Sequence, residues 1–431
     1  MKDSLGIYIS VPFCKAKCTY CNFASGVFGA ERMDAYVQRV CAEIRSVHER
    51  VTKFSALCGR NVAELELPKH VDSIYLGGGT PSLLNAEQTQ VLFAALRNEF
   101  PISSGAEITL ECAPGQLSDE TLAAMLRVGV NRVSFGVQSF VDQEAAAVGR
   151  LHTRAMCLEE IKRLRAAGVT NLNVDLIAGL PCQTHESWHE SVEVAIASGV
   201  PHVSVYMLEV DEDSRLGREV LAHGAKYGAD KAPIEDDTAE WYAEACGWLN
   251  AAGIQQYEIS NFACLGHESR HNIRYWKRGP YLGFGLDAHS MLRAGVGGVR
   301  WANVDDLDRY DRQGSRSERS ASSRKTGSLG ALSVLTSDVE KPEPEWIDRS
   351  QAFEESLFLG LRMNEGVDLE ALRGEFGAEL VAVAMAAVAE IEEAGLLERT
   401  YTRLRLTDQG RMVSNEVFSR LLMTESVKEA V

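Results

Sequence analysis

Three cysteines lie close together near the beginning of the sequence: Cys14, Cys18 and Cys21, in the spacing C-x3-C-x2-C. Thiolates are the usual protein ligands of iron–sulfur clusters, and three of them can hold three irons of a cubane. The fourth iron would then lack a protein ligand and would be free to bind a small molecule through an amine and a carboxylate. A structural zinc site is the alternative, but it normally takes four protein ligands, often as two separated pairs. Since the sequence has no second cysteine pair, the spacing favours a [4Fe–4S] cluster.

The other seven cysteines are scattered singly along the chain. Free cysteine behaves as a small hydrophobic residue and is among the most buried residue types. A disulfide framework is not expected, because such frameworks are rare in cytoplasmic proteins. We therefore predict buried, free thiols at these seven positions: Cys41, Cys58, Cys112, Cys157, Cys182, Cys246 and Cys264.

Composition and charge exclude several classes of protein. Of the 431 residues, 45% are hydrophobic and 24% are charged, close to the average for a globular protein. The net charge is 44 − 61 = −17, which argues against binding to a nucleic-acid backbone. The sequence has no apolar run of the ~18 residues that a membrane helix needs, and its start does not resemble a signal peptide. We expect a cytoplasmic protein of two to three domains, at roughly 100–200 residues per domain.

The elements that must position the cysteines alternate between strands and helices. Because the strand–helix units recur about every 25–40 residues, they predict a parallel sheet. No G-x-G-x-x-G motif follows the first strand, so an α/β fold with a partial (β/α)6 barrel is favoured over a dinucleotide-binding sheet. The predicted strands cover residues 5–11, 71–76, 107–111, 132–137, 172–177 and 202–208. The predicted helices cover residues 31–50, 86–100, 119–127 (capped by Ser118), 154–167 and 186–197.

Polar residues and glycines follow the ends of these predicted strands. In a parallel barrel, the loops at the carboxyl ends of the strands carry the chemistry. The cysteines, Gly77–Gly79, Glu111, Gln138 and Asp175 all lie at or just beyond such ends. We therefore expect them to converge on one face of the barrel.

The second half of the chain is organised differently. After a helix at 239–252 and a strand at 255–260, residues 311–345 break the pattern, and their core at 314–328 is of low complexity and locally basic. We expect a solvated, disordered insert there, with a nucleic-acid or phosphorylation role as the alternative. The sequence thus divides into a barrel (1–300), this insert (311–345) and a C-terminal domain (346–431).

The C-terminal domain is predicted to be helical and similar to a winged helix. Helices at 353–361, 369–376 and 380–394 precede two short strands at 396–400 and 402–406. Winged helices often bind DNA, but acidic residues are frequent in these helices. The charge therefore favours a structural or protein-docking lid.

Four further motifs, taken with the cysteine triad, carry a specific resemblance over nearly the whole chain. They are IYISVPFC from Ile7, GGGTP from Gly77, SFGVQS from Ser134 and NVDLIAGLP from Asn173. In this order they resemble the radical S-adenosylmethionine (SAM) family, and within it the oxygen-independent coproporphyrinogen III oxidase-like group, which includes a heme-chaperone branch. The resemblance implies a [4Fe–4S] cluster held by the three cysteines, with SAM bound beside it.

The resemblance also implies which residues contact SAM. Glycine backbone can approach a ligand closely, carboxylates can accept from ribose hydroxyls or face a sulfonium, and arginine can pair with a carboxylate. For the polar residues the alternative is a strand-end cap or a structural ion pair, and for the glycines a tight turn. The expected SAM-binding residues are Tyr8, Gly78, Gly79, Thr80, Glu111, Gln138, Arg150 and Asp175.

Three features separate the oxidases from the heme-chaperone branch. The oxidases carry a fourth cysteine two residues after the triad, where this sequence has Phe23. They also have a sizeable segment before the cluster, whereas Cys14 lies close to the start here. Finally, residues 271–276 read H-N-x-x-Y-W, a motif of the heme-chaperone branch.

The H-N-x-x-Y-W motif is the expected heme site. Histidine and tyrosine are ligands of heme iron, and tryptophan offers a flat face to a porphyrin. The alternatives are that the motif only packs a loop between residues 258 and 279, or that His267 or His289 binds iron instead. The expected heme-binding residues are His271, Asn272, Tyr275 and Trp276.

The resemblance thus predicts a heme chaperone that binds heme, a [4Fe–4S] cluster and SAM. It would transfer heme to respiratory heme proteins, including acceptors at the membrane surface, and would not bind nucleic acid. A coproporphyrinogen III dehydrogenase is the enzyme alternative, disfavoured by Phe23. A nucleic-acid-acting radical SAM protein, using the C-terminal domain and the basic insert, is the third.

Overall fold

Six parallel strands in chain order form the centre of the structure, a computed structural model that describes residues 4–57, 65, 67–312 and 343–422. Each strand pairs with the next, and the order of the sheet has two ends. The predicted α/β fold with a partial barrel is therefore confirmed. The six strands are β1 (Ser4–Val11), β2 (His70–Gly78), β3 (Ile102–Cys112), β4 (Arg132–Gln138), β5 (Asn171–Ala178) and β6 (His202–Met207).

The two faces of these strands differ in polarity. In β1, Leu5, Ile7 and Ile9 are fully buried in the main hydrophobic core. Successive side chains of a strand point to opposite faces, so the alternate positions line the inside of the barrel. There, polar side chains of neighbouring strands hydrogen-bond to each other, as Asn173 does with Ser134 at 2.6 Å. The barrel interior is therefore a polar network enclosed by an apolar shell.

Helices connect the parallel strands and cover the outside of the barrel. Ser118 caps its helix by accepting from the N–H of Thr121 at 3.0 Å, as predicted. The single helix predicted at 31–50 is wrong, because the chain breaks at Ser46 into two helices. The helices are α1 (Glu31–Arg45), α2 (Val47–Leu57), α3 (Ala86–Glu99), α4 (Asp119–Arg127), α5 (Asp142–Ala147), α6 (Arg154–Ala166) and α7 (His185–Ala197).

Additional strands extend the sheet beyond both edges of the parallel core. On one side, β8 (Asn261–Ala263) pairs antiparallel with β6 and with β7 (Gln255–Glu258). On the other, β9 (Tyr281–Phe284) lies parallel to β1. It is followed by antiparallel strands β10 (His289–Ala294), β11 (Gly297–Ala302) and β12 (Glu345–Ile347). The strand predicted at 255–260 is thus part of a hairpin, and β9–β11 were not predicted.

Three helices lie between β6 and β9. They are α8 (Arg215–Leu221), α9 (Glu235–Ala251) and α10 (Arg270–Trp276). The last carries the H-N-x-x-Y-W motif and is capped at its start by Ser269. None of the helices in the described part of the chain has the length and apolar character needed to cross a membrane.

The C-terminal part has a core of its own, to which Met291 of β10 and Ile347 of β12 contribute. The three predicted helices and the ribbon are present, and two short helices follow them. A buried ion pair between Arg278 and Glu355, at 2.8 Å, joins this part to the barrel. Its elements are α11 (Arg349–Leu361), β13 (Val367–Asp368), α12 (Leu369–Phe376), α13 (Ala378–Glu393), β14 (Leu397–Thr400), β15 (Arg403–Leu406), α14 (Asp408–Met412) and α15 (Ser414–Leu421).

Most of the expected insert, residues 313–342, lies outside the described residues, as does Cys58. Its two ends do not fit the expectation of disorder: residues 307–312 are helical, and Glu345 belongs to β12. The nine described cysteines are free thiols. Cys41, Cys112 and Cys157 are buried as predicted, whereas Cys182, Cys246 and Cys264 are partly exposed.

Candidate functional site

A cavity of about 350 Å³ opens at the carboxyl ends of the parallel strands. This is the face where loops can vary while the barrel holds them rigidly. The structure brings all three cysteines of the triad together here with seven of the eight expected SAM residues. The predicted residues that line the cavity are Cys14, Cys18, Cys21, Gly78, Gly79, Thr80, Glu111, Gln138, Arg150 and Asp175.

Tyr8 is the expected residue that does not line the cavity. Its ring stacks on that of Tyr75, with 6.1 Å between the centroids. Burial raises the pKa of its hydroxyl well above the ordinary value, and the nearby carboxylates of Glu111 and Asp287 raise it further. Tyr8 therefore stays neutral and lies beneath the cavity, packed against Tyr75.

The cysteine loop is closed by backbone hydrogen bonds. The N–H of Cys14 donates to the carbonyl of Gly26 at 2.9 Å, and the N–H of Gly26 donates to Pro12 at 2.9 Å. The N–H of Thr19 donates to Val148 at 3.1 Å, which ties the middle of the loop to the chain after α5. These bonds keep the three sulfur atoms at one side of the cavity.

The loop also packs tightly against the glycines at the end of β2. A Cβ atom at Gly79 would lie 2.8 Å from the carbonyl oxygens of Phe13 and Val11, so only glycine fits there. Gly78 has a φ of 102°, which residues with a side chain rarely adopt. The glycines thus let β2 end directly beside the cysteines.

The guanidinium of Arg150 lies against one sulfur of the triad. Nη1 donates to Sγ of Cys18 at 3.4 Å, and Nη2 donates to the carbonyl of Gly136. A positive charge and a hydrogen-bond donor thus lie beside a sulfur of the triad. The three sulfur donors and the guanidinium together suit a negatively charged metal centre.

No group of three or more His, Cys, Asp or Glu side chains within the described ranges is arranged to share a single metal ion. A cubane cluster does not require that arrangement, since each thiolate binds a different iron. The three cysteines in one loop, with Arg150 beside them, fit such a cluster.

Two carboxylates form the floor of the cavity. Glu111 accepts from the hydroxyl of Tyr75 at 2.8 Å and from the N–H of Gly78 at 3.2 Å. Burial raises its pKa to about 7, and the neighbouring Asp175 contributes. Asp175 accepts from Asn173 at 2.7 Å, and burial raises its pKa too. Both groups can still accept hydrogen bonds from a ligand and can neutralise a cation.

Some features of the site were not predicted from the sequence. One is the backbone of Gln138, whose φ is 72°. Such a φ is uncommon for a residue other than glycine and often occurs at functional sites. Tyr206 and Met207 end β6 and are each 41% exposed at the cavity. Their position at a strand end was a signal that could have identified them. Phe23, which is 64% exposed, adds a third apolar side chain to the same rim.

The H-N-x-x-Y-W motif lies at the opposite end of the barrel. Helix α10 contacts the first residues of β1 and β2, and His271 reaches into the interior with only 1% of its surface exposed. Its Nδ1 lies 3.0 Å from the hydroxyl of Ser73, and Nε2 lies 2.9 Å from that of Tyr275. Burial lowers the pKa of His271 to about 3, so the imidazole is neutral.

The other motif residues are partly buried at this end. The N–H of Asn272 donates to the capping hydroxyl of Ser269 at 3.3 Å. Trp276 faces the C-terminal part of the chain, where the guanidinium of Arg362 lies 4.3 Å from the centre of its ring. The four motif residues are therefore grouped around α10 and are not part of the cysteine cavity.

Comparisons with known proteins agree with this arrangement. Two family models match, the Radical SAM superfamily over residues 8–195 and the HemN C-terminal domain over residues 347–413. Two proteins named heme chaperone HemW are similar over nearly their whole length. The one from Lactococcus lactis is 30% identical over 97% of both chains, and the one from Bacillus subtilis is 31% identical over 96% of this chain and 98% of its own.

A solved structure shows the same fold. It is the Escherichia coli coproporphyrinogen III oxidase HemN, described as a radical SAM enzyme, with a TM-score of 0.76 and 22% identity. The match covers 97% of this chain and 90% of that one.

The partial barrel and its three-cysteine cavity define a radical SAM protein, a class that binds a [4Fe–4S] cluster and SAM. Within that class, the chain belongs to the heme chaperone HemW family.

Proposed function

We propose that this protein is a cytoplasmic heme chaperone that binds heme, a [4Fe–4S] cluster and SAM, and transfers heme to respiratory heme proteins, including acceptors at the membrane surface. The observation that carries the choice over an oxidase is Phe23. It stands where the oxidases have their fourth cysteine, and its side chain is 64% exposed at the cavity. A phenyl ring cannot replace a thiol as a ligand or as a hydrogen donor.

The cavity supports the assignment of both resident cofactors. The three cysteines would hold the cluster, which supplies electrons to SAM when both are bound. The SAM site would consist of Gly78, Gly79, Thr80, Glu111, Gln138, Arg150 and Asp175 in the cavity, with Tyr8 beneath them against Tyr75. In this site the carboxylates orient the cofactor, the glycines give it room, and the apolar rim restricts water.

The heme site would be formed by His271, Asn272, Tyr275 and Trp276. The hydroxyl of Ser73 can accept from Nδ1 of His271, which leaves Nε2 as the basic nitrogen. To bind iron, Nε2 must exchange its hydrogen bond with Tyr275 for the metal. Because His271 is buried, heme binding also requires α10 to move away from the barrel. A single iron ligand that is available only after this movement lowers the heme affinity, which suits a carrier that must release heme.

The substitution His271→Ala tests the heme site. The cluster is reconstituted anaerobically, and heme is titrated while the Soret band is recorded. We expect at least tenfold weaker heme binding with unchanged iron and sulfide content, since the histidine lies far from the cysteine loop. The control is His289→Ala, which removes a histidine that is 57% exposed and should leave the titration unchanged.

Two results would contradict the proposal. An unaltered heme titration in His271→Ala would show that this histidine does not bind heme. Conversion of coproporphyrinogen III to protoporphyrinogen, when SAM and a reductant are supplied, would identify the protein as a dehydrogenase instead.

A further inference from the structure

Arg132 is a buried cation without a direct counter-ion. It is the first residue of β4 and is 2% exposed. Among the described residues its Nε atom has no hydrogen-bond partner, and no carboxylate lies within the 4.0 Å that defines an ion pair. The comparably buried Arg274 and Arg278, in contrast, pair with Asp72 and Glu355. Burying a charge is costly unless other charges compensate it, so Arg132 requires compensation from farther away.

The carboxylates at the floor of the cavity can provide that compensation. Glu111 lies two residues beyond Thr109, the residue that pairs in register with Arg132. Two residues of a strand span about 7 Å. An arginine side chain is long enough to bring its charge near a carboxylate at that distance. Arg132 counteracts the rise in the pKa of both Glu111 and Asp175 that burial causes. Glu107, two residues before Thr109 on the same strand, is a third buried carboxyl group at this level, and its oxygens accept from the N–H groups of Arg270 and His271. Arg132 and three buried carboxyl groups therefore lie close together inside the barrel.

The hydrogen bonds to these carboxylates come from neutral groups. Glu111 accepts from Tyr75 and Gly78, and Asp175 accepts from Asn173 and Ser134. Such bonds orient a carboxylate but do not balance its charge.

Among the other titratable groups near this floor, Arg150 is a cation, Glu258 is a buried carboxyl group that pairs with Arg362 at 3.8 Å, and the tyrosines and histidines are neutral. Tyr8 of β1, Tyr75 of β2 and Tyr206 of β6 keep their protons, because burial raises the pKa of each hydroxyl. His202 of β6 and His271 of α10 face Arg132 from below and are uncharged, because burial lowers their pKa values. Arg150 lies above the floor and is bonded to Cys18 and Gly136. Arg132 is thus the cation that acts on the floor from inside the barrel.

We propose that Arg132 is a positioning residue for the SAM site, whose charge keeps Glu111 and Asp175 as carboxylates when a cationic cofactor binds above them. This inference rests on the proposed binding of SAM in the cavity. SAM carries a sulfonium, which an ionised carboxylate attracts and a protonated one does not. Arg132 does not touch the cofactor, and it acts through the two acids.

The inference predicts a specific pH dependence. Since the pKa of Glu111 is about 7, SAM affinity should fall as the pH drops below that value. Without the charge of Arg132 the pKa of both acids rises further, so the loss of affinity begins at a higher pH. At a pH well above both values, the two acids are ionised with or without Arg132, and the affinities converge.

The experiment compares SAM binding by wild type, Arg132→Met and Arg132→Lys. Each full-length protein is reconstituted anaerobically, and SAM binding is measured by calorimetry between about pH 6 and about pH 9. For Arg132→Met we expect about tenfold weaker binding near pH 7, equal binding at the alkaline end and unchanged cluster content. Arg132→Lys keeps the charge and should restore most of the wild-type profile. The control Arg373→Met removes an exposed guanidinium of the C-terminal part and should not shift the profile.

Each other outcome is decisive. Equal weakening of Arg132→Met at every pH would mean that Arg132 only maintains the structure, and an unchanged profile would mean that its charge does not act on the acids. If Arg132→Met does not fold, Arg132→Gln takes its place: this side chain is polar but uncharged, so its profile should move towards higher pH, and a profile identical to that of wild type would overturn the inference. Failure of cluster-loaded wild type to bind SAM at any pH would instead contradict the proposed cofactor site.

Discussion

Arg150 shows how one side chain can serve two groups at once. Its guanidinium donates to the sulfur of Cys18 at 3.4 Å, yet the same residue lines the cavity in which SAM is proposed to bind. A hydrogen bond to a ligating sulfur, together with a nearby positive charge, stabilises the reduced and more negative form of an iron–sulfur cluster. Arg150 is thus expected to influence the cluster even before SAM binds.

The substitution Arg150→Met tests the effect of Arg150 on the cluster. It removes both the charge and the donor, so the reduction potential of the cluster should become more negative. The measurement is a redox titration followed by electron paramagnetic resonance in the absence of SAM. Arg165→Met serves as the control, because that guanidinium donates to the carbonyl of Ser198 on the helical side of the barrel. A midpoint potential that is the same in Arg150→Met and wild type would disprove the effect.

Residue types and spacing predicted ten of the residues that line the cavity. Strand-end positions correctly placed Glu111, Gln138 and Asp175 around one cavity, because the carboxyl ends of parallel strands share one face. The role of Arg132 was not accessible in this way. Nothing in its sequence neighbourhood shows that its side chain is buried without a counter-ion, since that depends on what three strands place around it.

At the scale of elements, a glutamate of β3 holds the start of α10. Glu107 is buried, and its two carboxylate oxygens accept from the N–H groups of Arg270 and His271, at 3.1 and 3.0 Å. The first N–H groups of a helix have no partner within the helix and favour a negative charge. Glu107 therefore fixes the start of α10 to the barrel.

Replacement of Glu107 by alanine should loosen this helix. Two buried N–H groups would lose their acceptor, so we expect the free energy of unfolding to fall by about 2–3 kcal/mol. Glu107→Gln retains one acceptor oxygen and should lose less. Urea unfolding followed by circular dichroism compares the two, and hydrogen exchange locates the change. Equal stability of Glu107→Ala and wild type would show that the contact does not anchor α10.

The elements that were predicted and those that were missed differ in their sequence pattern. The six parallel strands carry apolar residues at alternate positions between helices of regular period, and this pattern is readable from one sequence. Strands β9–β11 are short, and glycines occupy the turn between β10 and β11 and the start of β11, as in GVGGVR, so their pairing depends on contacts with distant strands. The break in the helix at 31–50 also carries no glycine or proline signal, since Ser46 is compatible with a helix.

At the scale of the whole molecule, a buried ion pair connects the C-terminal part to the barrel. Arg278, which follows α10, donates to Glu355 of α11, and Arg300 of β11 lies 3.1 Å from the same carboxylate. Removing one partner of a buried pair leaves the other charge uncompensated, which is strongly destabilising. Glu355 therefore holds together three separate parts of the chain.

The substitution Glu355→Ala tests this connection. We expect a loss of about 3–5 kcal/mol in stability, with the C-terminal part becoming sensitive to protease before the barrel does. Limited proteolysis followed by mass spectrometry measures the order of cleavage. The control Glu379→Ala removes an exposed partner of Arg349 and should have little effect. Cleavage that begins in the barrel instead would show that the ion pair does not control the junction.

The junction between β12 and α11 has a mechanical consequence. Ile347 ends the strand, Asp348 caps the helix and Arg349 begins it, so no linker separates the edge of the large sheet from the smaller core. A swing of that smaller core must peel β12 away from its neighbour, and the seam between them is only three residues long. Any movement of the smaller core relative to the barrel therefore has to break the three pairings of β12 together with the Arg278–Glu355 ion pair.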